Sequence, residues 1–118
     1  MIVHGRERKF LLTIGASAAI ADLCPDGELS RLDEVLDGSF SKSVRTTAKL
    51  IAAMSMGYEQ AKAFEEPGYE PCPMTEAEIL ALTALQLKEL QAEALAAFKA
   101  DTEKTVETEP SKKEKAPA

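Results

Sequence analysis

Residues 67–73 read Pro-Gly-Tyr-Glu-Pro-Cys-Pro, three prolines and a glycine within seven positions. A proline lacks the amide hydrogen and fixes its own φ, and it pushes the preceding residue out of the helical region, so no helix crosses this stretch. The connector therefore divides the chain into two helix-forming regions. Before it, Phe40, Val44, Thr47, Ala48, Ile51, Met54 and Tyr58 share one face at helical spacing while Arg45 and Lys49 point away. Ser39 or Ser41 can cap this helix. Gly57 is placed to bend or end it, and otherwise it continues to Glu66, where Pro67-Gly68 stops it.

After the connector, Thr75-Glu76-Ala77-Glu78 has the form of a capping box, in which the Thr75 hydroxyl accepts from the Glu78 amide and the Glu78 carboxylate returns the bond. Neither glycine nor proline follows before Lys99, so one long helix is expected from 75 to about that residue. Leu80, Ala84, Leu87, Leu90, Ala94 and Phe98 form its apolar stripe, and Leu82 and Leu85 fall well off that stripe at 100° per residue. The surplus face has two readings. Either the helix is central and covered on two sides by its own domain, or Leu82 and Leu85 meet another subunit or a client protein.

The N-terminal region begins with Ile2-Val3, a polar segment containing Gly5, and Phe10-Leu11-Leu12-Thr13-Ile14, which reads as a β-hairpin. A lone hairpin is marginal in water and has to lie on helices or on another chain's strands. Gly15 is expected to end the second strand, with a short helix over 16–23 stopped by Cys24-Pro25. Leu29, Leu32, Val35 and Leu36 then recur at helical spacing, between the turn Pro25-Asp26-Gly27 and Asp37-Gly38. From Asp101 charges and prolines dominate, so residues 1–100 are expected to form one small helical domain and 101–118 a disordered tail. The fold class is mainly α, with an N-terminal hairpin and a long C-terminal helix.

Chemistry is sparse in this chain. Gly15-Ala16-Ser17-Ala18-Ala19 after an apolar run resembles a nucleophile elbow, but Ala19 replaces the second glycine, and the sole histidine, His4, precedes the serine instead of following it. Ser17 then reads as a helix-start polar group or a small packing residue, and His4 as an ordinary polar residue of the hairpin. Glycine patterns for phosphate are absent, and Asp26, Glu28, Asp33, Glu34 and Asp37 lack calcium-loop spacing. Cys24 and Cys72 form no Cys-x-x-Cys pair and are either small buried residues or a disulfide that the fold brings together. No catalytic, metal or cofactor-binding residue is assigned, and no enzyme activity is expected.

Twenty acidic against fourteen basic residues give a net charge of −6, opposite to the basic surface that nucleic-acid binding requires. Every apolar run is broken by a charge short of the ~20 residues that span a bilayer. No secretory leader is recognisable, so a soluble protein in a reducing cytoplasm is expected, without nucleic-acid or membrane partners.

The order of features resembles the tail assembly chaperones of long-tailed bacteriophages and prophages. The matching parts, within residues 1 to 100, are the hairpin IVHGRERKFLLT, the Ile14-Gly15-Ala16 junction, the helix ASAAIADL, and AKLIAAMSMGYEQAK ahead of a long C-terminal helix. The resemblance implies a non-catalytic protein of the bacterial host cytoplasm that is absent from the mature virion. It would coat the tape measure protein while tail tube subunits polymerise around it. It also implies a short form whose frameshifted extension recruits tube protein, and the lysines Lys112 and Lys113 are compatible with a slip site. Homo-oligomers formed through the hairpin edge or the Leu82 and Leu85 face are expected. The rival reading is a small prophage-encoded helical adaptor or regulator that binds one host protein.

Overall fold

A computed structural model describes residues 1–37 and 40–110; Gly38, Ser39 and residues 111–118, which include the lysines of the slip-site reading, lie outside the described residues. The fold is mainly α, as expected. Two strands, β1 (Ile2–Val3) and β2 (Arg6–Glu7), precede five helices among the described residues: α1 (Ile14–Ala21), α2 (Leu32–Leu36), α3 (Phe40–Glu65), α4 (Glu76–Leu80) and α5 (Ala84–Pro110). Single turns of 3₁₀ helix at Pro25–Gly27 and Leu29–Arg31 lead into α2.

The hairpin is shorter than the apolar pattern predicts. Its strands pair Ile2 with Glu7 and Val3 with Arg6, closed by His4 and Gly5, both at positive φ. Two central residues with φ above zero make the tight turn whose twist matches paired strands, and this fixes the register ahead of Phe10. Phe10–Thr13 is not the second strand, because its amides are engaged elsewhere. Leu11 donates to the Met54 carbonyl at 3.2 Å and Leu12 to the Asp101 carboxylate at 2.9 Å.

α1 starts two residues earlier than expected because Thr13 is its N-cap, accepting from the Ala16 amide at 3.1 Å. Gly15 therefore lies inside the helix, where a Cβ would meet only the Thr13 hydroxyl at 3.9 Å, an ordinary contact. The glycine that this junction needs is Gly57. A Cβ there would stand 2.4 Å from the Leu11 carbonyl oxygen and 3.3 Å from the Ala16 methyl. Gly57 does not end α3, which runs unbroken to Glu65. Its missing side chain lets the segment 11–16 lie directly on the helix.

α3 is the central element, in contact with α1, α2, α4 and α5. One cluster, on Ala48 and Ile51, takes in Val3, Met74, Ile79, Leu90 and Ala94. A second, on Leu50 and Met54, takes in Ile20, Cys24 and Leu32, with Phe98 and Leu95 against it, and Phe10 touches both. Arg45 and Lys49 are exposed as the spacing requires. The helix covered on several sides is thus α3 and not the one after the connector.

The expected single helix from 75 is two helices. Thr75 caps α4, accepting from the Glu78 amide at 3.1 Å, but the Glu78 carboxylate turns to Arg8 at 3.6 Å. α4 stops at Leu80, and Thr83 opens α5 with a box of its own. The Gln86 amide donates to the Thr83 hydroxyl at 3.2 Å, and the Thr83 amide donates to the Gln86 side-chain oxygen at 3.1 Å. The corner rotates the stripe out of phase, so Leu90 and Ala94 are buried while Leu80 and Ala84 are exposed. Leu82 packs against the core, Leu85 faces solvent at 66% exposure, and the two do not form one face. At the other end α5 passes Asp101 and continues to Pro110.

Candidate functional site

Two buried polar side chains, Ser55 and Glu59, lie along the C-terminal half of α3. Ser55, 1% exposed, accepts from the Met74 amide at 2.9 Å. One turn on, the Glu59 carboxylate, 3% exposed, accepts from the Tyr69 hydroxyl and from the Cys72 amide at 3.0 Å, with the Arg6 guanidinium 3.8 Å away. Burial pushes the Glu59 carboxyl up, but the Tyr69 and Cys72 hydrogen bonds and the charges of Arg6 and Arg8 outweigh it and hold the group below its ordinary range. The Glu59 bond in turn raises the Tyr69 hydroxyl. Arg8, almost fully buried, donates to the Cys72 carbonyl at 2.6 Å. A proline-rich connector has few amides with which to anchor itself, and this seam supplies anchors at Tyr69, Cys72 and Met74. It thereby fixes where α4 begins.

With α4 held against α3 and α5 turning away at Thr83, the corner leaves an apolar groove of about 450 Å³. Val44 and Thr47 of α3 and Ile79 of α4 line one part of it. Leu80, Leu82 and Leu87 line another, and Leu36 at the end of α2 closes a third side. A recess of about 230 Å³ adjoins it, lined by Ser41, Val44, Arg45 and Leu80. The volume lies in the ~300–1,000 Å³ range of binding pockets, and an apolar channel between helices is the form that receives an amphipathic helix. Leu80 is 43% exposed at its edge, an apolar side chain available to a ligand.

The residues weighed for chemistry are dispersed. Ser17 is a half-buried residue of α1 whose amide donates to the Thr13 carbonyl, and the segment before it forms no strand pairs. His4 sits at the hairpin turn. Arg31 holds Asp26 and Glu34, each at 2.9 Å. Cys24 is buried and donates to the Ile20 carbonyl, Cys72 is exposed, and both are free thiols. Among the described residues no group of three His, Cys, Asp or Glu is placed to hold a metal, and no helix is long and apolar enough to cross a membrane.

Of the surplus leucines, Leu82 lines the groove and Leu85 does not. The groove itself escaped sequence reading because it depends on the corner at 81–83, and the signal for that corner was present in Thr83-Ala84-Leu85-Gln86. Comparison with protein-family models, with curated proteins and with solved structures finds no match to this chain.

Proposed function

We propose that this protein is a non-catalytic phage tail assembly chaperone that binds the tape measure protein, and that the groove at the α4–α5 corner is its client site. The observation that supports this reading is the groove itself, an open apolar channel bordered by the half-exposed Leu80. A chaperone for a long helix-rich client has to offer such a surface while staying folded when empty. In this reading the protein works in the host cytoplasm during tail tube polymerisation, self-associates, and is left out of the finished particle.

Co-expression with the tape measure protein of the same gene cluster tests it. The client is expected to become soluble and to co-purify with the wild-type chain, and Leu80→Glu is expected to reduce both effects. A client that stays insoluble and unbound overturns the reading. Light scattering is expected to report a species larger than a monomer at micromolar concentration.

A further inference from the structure

The charges around the groove oppose those of the chain as a whole. The protein carries a net charge of −6, yet among the described residues the charged side chains that line the groove and its recess are Lys88 and Arg45, both cationic. Both are exposed, and neither has an ion-pair or hydrogen-bond partner among the described residues. The nearby carboxylates of α4 are already engaged, Glu76 with Lys49 at 3.5 Å and Glu78 with Arg8 at 3.6 Å. The groove thus has an apolar floor with Lys88 on its lining and Arg45 on the adjoining recess, neither charge paired among the described residues. Because its walls are helices lined mainly by apolar side chains, it has no strand edge to pair with an incoming backbone. A segment entering it has to satisfy its own amides and carbonyls, which an α-helix does.

We infer that the groove selects an acidic amphipathic helix, one whose apolar anchors are bordered by Asp or Glu that meet Lys88 and Arg45. The inference rests on the groove being the client site, and it adds the charge of the client segment. Rim charges act mainly on association rate and partner choice, and their effect falls with salt, whereas the apolar floor supplies binding that salt does not screen.

The test uses the full chain and two synthetic amphipathic helical peptides with the same leucine stripe, one bordered by Glu and the other by Lys, with binding read by fluorescence anisotropy. The Glu-bordered peptide is expected to bind roughly tenfold more tightly at low salt. The gap should narrow as salt is raised. Arg45→Glu combined with Lys88→Glu is expected to reverse the preference with an unchanged circular dichroism spectrum, both sites being exposed. Equal affinity for the two peptides, tighter binding of the Lys-bordered one, or binding of neither overturns the inference. The two readings fail separately. Undiminished client co-purification by the double variant removes the charge preference and leaves the chaperone reading standing. Selective binding of the Glu-bordered peptide by a chain that ignores the tape measure protein does the reverse.

Discussion

The two halves of α3 bury their surroundings by opposite means. The C-terminal half fastens the chain with polar groups and close backbone approach: Ser55 and Glu59 hold the connector, and Gly57 admits the segment 11–16. The N-terminal half presents Val44 and Thr47 to a channel that the described residues leave open. Hydrogen bonds with fixed geometry specify one arrangement, so the first half can act as a frame. Apolar contact is non-directional, so the second half can accept a range of side chains. Frame and receptor are therefore separable by mutation, with stability changing in one and binding in the other.

The largest effect is expected at Glu59. Its replacement by alanine removes the acceptor of the Tyr69 hydroxyl and the Cys72 amide and the carboxylate beside Arg6, and should cost about 3 kcal/mol in urea denaturation. The same carboxyl sets an acid limit. Because its folded-state value lies below the ordinary glutamate value of 4.5, its contribution is fully present above that pH. It is lost as pH falls through the depressed folded value, and Glu59→Gln should flatten that part of the acid unfolding curve. Gly57→Ala is expected next. Glycine to alanine inside a helix ordinarily gains about 1 kcal/mol. Here the 2.4 Å approach to the Leu11 carbonyl should turn that gain into a net loss of about 2 kcal/mol, visible as a lower Tm.

Thr83→Ala removes the cap at the corner and should cost about 1 kcal/mol, with faster amide exchange at residues 84–86. Leu80→Ser, on the receptor side, should change stability by no more than about 0.5 kcal/mol while weakening peptide binding. A Leu80→Ser variant that unfolds, or a Glu59→Ala variant that keeps full stability, would break the division between the two halves.

Most of the frame's outline can be read from the residues. Pro67-Gly68 stops α3, Thr75 caps α4, and the period of Thr47, Ala48, Ile51 and Met54 marks the buried face. Glu59 could not be recognised in this way, because a glutamate on a helix ordinarily faces water and its partners come from the hairpin and the connector. Leu50 lies off the stripe that the spacing marks and is still buried, because α3 is covered on more than one side, which widens its buried arc. The corner at 81–83 was legible in principle, but a run without glycine or proline hid the second capping box. Gly15 and Gly57 show the same limit, since sequence marks glycines and only packing tells which of them a neighbour presses on.

The bond between the Leu12 amide and the Asp101 carboxylate has a consequence for the order in which the chain is made. It joins residues 89 positions apart, so during synthesis the acceptor emerges long after the donor. Contacts of such separation close late, after the loop-closure entropy of the intervening chain has been overcome. Until then the Leu12 amide of a nascent chain lacks this acceptor, and the segment that leads into α1 is completed only after Asp101 has been made.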